Sequence, residues 1–460
     1  MLFVHFVVEG SIMRFLSPSN LKKIIIASLI AAVAAIVMSG VIVVTRTAIG
    51  TFDYHKGVTA YNEQNYDKAF PLLQKAANDG IPNAMTLTGV MYDRGQGVAQ
   101  DHKAAMQWYL KAAGTGDSYA MLDIGFLYQF GRGVPQNYHE AMDWYKKATA
   151  RGNSEAMRYI GLLYENGTGA AQDYGQAMQW YQKAAKLGNA KAMYDIGLGY
   201  DQGIGVTQDS HTAMQWYQKS AAQGNAYAMN NIGVLYKYGL GVKQNYREAM
   251  SWYQKAAAKG DGGAMHKISH IYYQGTGVAK NFKEGFLWAQ KAAAKGNIES
   301  MRDLGFSYAH GLGVAKNPQK ADEWYQKVIK IYKTAAANGD ADAMYNMASL
   351  YAYGNGVPQN HQKEMQWLQK AAARGKAAAM FHLGLGYEKG EGVKQDYHLA
   401  MQWYQKAAAN KDVAAMKHIG DLYSKGDGAK KNMLTAISWW KKAAALGNKD
   451  ATDALKKNGK

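Results

Sequence analysis

Cysteine does not occur in this chain, and only 6 of its 460 residues are proline. The first absence excludes disulfides, thiolate metal sites, a lipidated N-terminal Cys and thiol catalysis at one stroke. The second leaves helices free to run. Acid is also scarce: 35 Asp and Glu face 53 Lys and Arg, a formal net charge of +18. What is abundant is 50 Gly, 33 Tyr and 11 Trp, a helix-compatible mixture with frequent punctuation and a heavy aromatic load, which belongs to a folded chain. A chain this long exceeds the roughly 250–300 residues at which one core stops growing, so it must split or repeat.

One apolar run stands apart. Residues 24–44, IIIASLIAAVAAIVMSGVIVV, carry no charge over 21 positions. At 1.5 Å per residue the run spans about 32 Å as a helix, close to a hydrocarbon core of about 30 Å. It is expected to be a single transmembrane helix acting as a signal anchor. Arg14, Lys22 and Lys23 precede it against a lone Glu9, which favours a cytoplasmic N-terminal segment over 1–23. The rest of the chain would then lie on the periplasmic or extracytoplasmic side of a bacterial inner membrane, and a chain without cysteine fits export. Cleavage as a signal peptide, with secretion, is the alternative, although Val37-Met38-Ser39 makes a poor exit and the run is long for a signal. Met1 and Met13 both remain candidate starts.

From residue 81 the register is strict. A Met follows a small residue at Met85, Met121, Met157, Met193, Met229, Met265, Met301, Met344, Met380 and Met416, every spacing being 36 except one of 43. Fixed-period self-similarity of this kind means a solenoid. Within residues 225–260, Met229, Ile232, Gly233 and Tyr236 fall at i, i+3, i+4 and i+7, and Ala249, Trp252, Tyr253, Ala256 and Ala257 repeat that spacing. Each unit therefore reads as two amphipathic helices. Asn225 and Asn245 stand at helix starts, Gly239-Leu240-Gly241 and Gly260 at helix ends, and Asp or Asn occupies the second start in all ten units. A Tyr column (Tyr92 to Tyr423) and a Trp column (Trp108 to Trp439) are filled ten times in ten and read as packing. A module of 36 residues cannot bury enough surface alone, so neighbours must complete its core. The unit with the longer spacing reads WYQKVIKIYKTAAANG, seven residues longer than its counterparts. Seven residues shift a helical face by only ~20°, so the buried stripe is kept and a knob is expected near Ile331 and Tyr332.

The pattern AM-x-x-IG-x-x-Y-x-x-G-x-GV-x-Q-[DN]-Y-x-x-AM-x-WY-x-KAA-x-x-G[ND] resembles the Sel1-like repeat family, a cousin of the tetratricopeptide repeat. The resemblance covers ten units over 81–447. Residues 45–80 look like a linker and a tetratricopeptide-like N-cap, and 448–460 like a capping helix. The expected fold is thus all-α, an α-solenoid of about ten helix-turn-helix repeats. The resemblance implies a right-handed superhelix whose concave face binds a protein or peptide, in adaptors of membrane-linked degradation, envelope assembly or host–microbe contact. Cysteine-rich members, some labelled β-lactamases, staple each unit with a disulfide that this chain cannot form.

Enzymatic chemistry finds little footing, and no catalytic residue, cofactor or metal is expected. The one S-x-x-K, Ser19 to Lys22, abuts the apolar run, and Lys333-Thr334-Ala335 lacks the glycine of K-T-G, so the hydrolase reading stays a distant alternative. The recurrent G-x-G pairs follow helices, not strands, and read as helix stops. His266 and His270, at i and i+4, share a helix face, but two imidazoles leave a zinc site short of ligands. A Lys three residues after every column Trp, from Lys111 to Lys442, makes a ladder. It suits the helix macrodipole and solubility, or else attraction to an acidic polysaccharide or anionic lipid. Nucleic acid is not expected, because the aromatic columns read as core. On a helical wheel, positions +2 and +9 from each Met lie opposite the buried stripe. They supply the candidate partner surface: Asp123, Tyr159, Asp195, Asn231 and Lys267 at +2, with Phe130, Tyr238, His310 and Tyr353 at +9. The expected function is a non-enzymatic, membrane-anchored interaction scaffold, with an envelope- or polysaccharide-associated binder as the alternative.

Overall fold

The computed structural model describes residues 50–458, and among these residues there are 23 helices and no strand. The apolar run 24–44 and the segment before it lie outside the described residues. Among the described residues no helix is long and apolar enough to cross a membrane. The chain divides after Asn225, on a border of the 36-residue period, into two units.

Both units are built the same way. In the first, Ser118–Phe130 is followed by Tyr138–Thr149 and Ser154–Asn166 by Tyr174–Lys186; in the second, Gly262–Gln274 is followed by Phe282–Ala294 and Ala377–Lys389 by Tyr397–Ala409. Within a unit each helix packs against the one before it and the one after it. The Asp or Asn ahead of every second helix accepts from backbone amides of the first turn, as Asp101 does from Lys103 and Ala104 and Asn245 from Arg247 and Glu248. That satisfies donors a helix start leaves orphaned.

The loop between the helices is closed by its own sequence. Gly131, in the left-handed region at φ 65°, ends the first helix of its repeat, a conformation only glycine adopts without cost. The loop Gln then turns back, Gln136 Nε2 donating to the Gln129 carbonyl and Gln244 Nε2 to that of Lys237, both at 2.9 Å. The amides of Asn137 and Asn245 donate to the carbonyls of Tyr128 and Tyr236. The G-x-G loops are thus helix stops whose polar groups are engaged within the repeat.

Of the two adjacent aromatics in the seven second helices that carry Trp-Tyr, the Tyr is the one that goes inside. Tyr109, Tyr145, Tyr217, Tyr253 and Tyr404 are among the largest fully buried side chains, whereas every column Trp is only half-buried. Each of these Tyr rings fills a hole left by the glycine four residues after the repeat's Met: a Cβ on Gly233 would stand 2.6 Å from the Tyr253 ring, and one on Gly89 2.6 Å from Tyr109. The Trp column is therefore not core filler. Its rings lie along the flank with the Lys three residues on folded over them, Nζ to ring centroid 3.7–4.3 Å in all ten repeats.

The insertion lies in a helix of 20 residues, Pro318–Ala337, where the other complete second helices have 12 or 13. Its buried stripe continues through Val328, Ile329, Tyr332 and Ala336. Tyr332 is buried and Ile331 half-buried, so the added turns are packed and the expected knob is absent there. At the C-terminal end, the helix Lys449–Asn458 lays Ala451 against Trp440 and Ala443.

Candidate functional site

Within each unit a first helix is buried on two sides, once against its own second helix and once against the neighbouring repeat. The second contact determines where the candidate residues lie. Position +2 of one repeat meets positions +1 and +5 of the repeat before it. Arg158 Nε donates to Asp195 Oδ2 at 2.5 Å with Nη2 reaching Oδ1 at 3.3 Å, and Tyr159 meets the Phe126 ring edge-on at 4.6 Å. Asp123, Tyr159, Asp195 and Lys267 are accordingly half-buried in seams between repeats of one unit and not displayed on an open face, and Asn231 is half-buried as well. The +9 residues lie at the surface: Phe130, Tyr238 and Tyr353 are 54%, 60% and 75% exposed, and His310 is exposed.

Where the two positions meet, clefts open. Asp123, Phe130 and Tyr159 share one of about 570 Å³ in the first unit, with Arg94, His102 and Arg132 on its walls. Asp93 on the same wall is held by His102 Nδ1 at 2.7 Å and Arg132 Nη1 at 3.8 Å. Asp123 has no such partner. Burial, with the nearby Asp93 charge adding to it, pushes its carboxyl up to about 7. Asp195 lines a smaller cavity of about 260 Å³ beside Glu165 and Tyr181. In the second unit His310 and Tyr353 line a cleft of about 450 Å³ with Arg302 and Phe306, His310 stacking on Phe306 at 4.0 Å. Asn231, Tyr238 and Lys267 stand apart from these clefts, and burial lowers the Lys267 amine. The cleft of Asp123 assembles rings, guanidinium groups and carboxylates, and that of Tyr353 rings and a guanidinium group, which is the equipment of recognition.

Two features were missed. Tyr119 and Tyr227 are 66% and 64% exposed, and both stand two residues before the repeat's Met, a shared position that marks them in the sequence. The other is the acceptor eight residues after the Met, where Gln129, Glu165 and Glu388 take the buried hydroxyls of Tyr145, Tyr181 and Tyr404. Where that position is Lys237 or Ala309, the hydroxyls of Tyr253 and Tyr325 have no hydrogen-bond partner among the described residues. The Lys ladder also has a different occupation: each amine sits on its own Trp ring, a contact worth about 0.5–1 kcal/mol at an exposed site.

The Sel1 repeat profile matches eleven segments, at 54–81, 82–117, 118–153, 154–189, 190–225, 226–261, 263–297, 298–328, 341–376, 377–412 and 413–448. The segment 54–81 is the one beyond the ten units read from the Met spacing. No curated protein matches the chain. Among solved structures it is similar to a protective antigen of uropathogenic Escherichia coli displaying an SLR fold, at 31% identity over 89% of this chain and 87% of that one, with a TM-score of 0.48. A Sel1 repeat protein from Oxalobacter formigenes is 36% identical over 52% of this chain and 99% of that one, TM-score 0.49. The cysteine-rich protein B of Helicobacter pylori is 30% identical over 29% and 96%, TM-score 0.25. With eleven matched repeats spanning most of its length, an architecture typical of protein–protein interaction scaffolds, the chain belongs to the Sel1 repeat family.

Proposed function

We propose that the chain is a membrane-tethered, non-enzymatic scaffold that binds a protein or peptide partner along the seams of its first helices. The observation that carries this reading is the row of exposed +9 rings, Phe130, Tyr238 and Tyr353, two of which border clefts with Arg side chains on their walls, joined by Asp93 and Asp123 in the cleft of Phe130. Rings on a rigid backbone present contact area at low entropic cost, and mixed charge around them supplies register. The uncharged run 24–44 with its basic flank supports a tether. Repeats on the far side of the membrane follow from that orientation. The amines of the Lys ladder are folded onto Trp rings, which favours a structural use over capture of an acidic polymer.

A photo-crosslinking residue placed at Tyr238 or Tyr353 in the full-length chain in its own membranes tests the binding surface. Discrete crosslinked partners are expected, and Tyr353→Glu should weaken capture at the neighbouring position His310. Labelling no stronger than from Leu187, an exposed turn residue outside the clefts, would dismiss the reading. Topology reporters fused after residue 50 test the tether separately.

A further inference from the structure

In the second unit the seam between repeats 263–297 and 298–328 brings three metal-ligating side chains together. His266 and His270 stand one turn apart on Gly262–Gln274, their ring centroids 4.5 Å from each other. Asp303, on Ile298–His310, reaches back between them: its Oδ2 is 3.0 Å from His270 Nε2 and 3.5 Å from His266 Nδ1. One ligand atom from each of the three lies within 4.8 Å of the other two, and all three side chains are half-buried.

We propose that His266, His270 and Asp303 bind a divalent first-row transition metal, with Zn2+ the best fit, as a clasp between two consecutive repeats. Three physical points carry this. Bonds of about 2.0–2.1 Å from zinc to imidazole nitrogen and carboxylate oxygen set a tetrahedral edge of about 3.3 Å, and the two measured separations straddle that value. The donor set of two imidazoles and one carboxylate suits zinc and its neighbours and not the hard, all-oxygen-seeking cations.

The third point is charge. At the same repeat positions in the first unit, Asp195 faces the permanent cation of Arg158. Here Asp303 faces the imidazoles of His266 and His270 instead. A neutral imidazole beside a carboxylate is a ligand pair, and a dication supplies the countercharge the guanidinium supplies elsewhere. His270 and Asp303 also line a cavity of about 270 Å³ with Tyr273, Phe282 and Phe306, which has room for a further ligand such as water. Ser300 Oγ, 2.9 Å from His266 Nδ1, holds that ring in place in the absence of metal. In a chain without cysteine, the metal joins neighbouring repeats where a disulfide cannot.

The test uses the untagged full-length chain after chelator treatment, titrated with ZnCl2 by calorimetry, with amide hydrogen exchange read before and after. The parent chain is expected to show a site whose affinity falls at least tenfold in His270→Gln and in Asp303→Asn and is unchanged in His211→Gln. Zn2+ should slow exchange in residues 262–274 and 298–310 of the parent and not of the two variants. Equal binding by parent and variants would overturn the proposal, as would the absence of zinc-dependent protection in that seam in the parent, a readout that does not depend on either variant folding.

Discussion

The repeats that bury Tyr217 and Tyr253 and the repeat that carries Ala289 pack the same helix pair with opposite distributions of volume. In the former, the first helix offers a hole at Gly197 or Gly233 and the second helix fills it with a ring. In the latter, the hole is closed by Ser269, whose hydroxyl donates to the Gly285 carbonyl at 2.7 Å, and Ala289 replaces the ring. The aromatic bulk now comes from the first helix: a Cβ on Gly285 would stand 2.9 Å from Tyr273. A third solution pairs Ala348 with Leu368, both buried. What the repeat holds constant is the filled volume between helices, and residue identity follows from it.

That comparison can be broken most forcefully by mixing the solutions. Gly233→Ala puts a methyl into the Tyr253 ring and should destabilise its repeat by about 2 kcal/mol. Adding Tyr253→Leu, which copies the Ala348 and Leu368 pair, should recover about half of that. Hydrogen exchange within residues 226–261 is the measurement, since long arrays need not unfold in one step. No recovery in the double variant would mean that volume exchange is not the rule.

A second contrast sets the seam of Asp123 against that of Asp195. An acid whose folded pKa is raised to about 7 from an unfolded value of about 3.9 favours the folded state while protonated. Its contribution is complete below about pH 4 and is lost as pH rises toward 7. Asp123→Asn should remove this slope, so the stability of parent minus variant falls with rising pH by about 3 kcal/mol between pH 4.5 and 7.5. A flat difference in local exchange across that range would refute the assignment.

Smaller effects sharpen the picture. Tyr145→Phe gives up the hydrogen bond to Gln129 and should cost about 1 kcal/mol, whereas Tyr253→Phe removes a hydroxyl that has no partner and should be neutral or slightly stabilising. Equal costs would show that the acceptor eight residues after the Met is immaterial. Least of all, Lys219→Ala should cost about 0.5 kcal/mol through the Trp216 ring and blue- or red-shift the Trp emission of one repeat in ten.

Much of the fold was legible because three independent signals agreed: the 36-residue period, Asp or Asn before every second helix, and glycine after nearly every helix, Lys411 taking that place after Tyr397–Ala409. The clefts were less so, for a specific reason. A single helical wheel has one buried stripe, and on it Asp123 and Asp195 point outward; a helix inside an array has two, and the second is invisible until the neighbouring repeat is placed. The distance from His266 to Asp303 shows the same limit, since 37 positions separate them and only the stacking joins them. The choice between Tyr and Trp was readable in principle, because the two repeats with no aromatic residue after the column Trp, at Ala289 and Leu368, are also the ones that lack the glycine, at Ser269 and Ala348, whereas the repeat with Trp440 keeps Gly420.

The 20-residue helix Pro318–Ala337 has a consequence for how such a molecule can vary over generations. Because its stripe must face the same way at both ends, increments of seven fit with little twist and increments of five or nine would turn the far half toward solvent. Length change in this protein is therefore quantised twice, by whole modules along the array and by pairs of helical turns within a module.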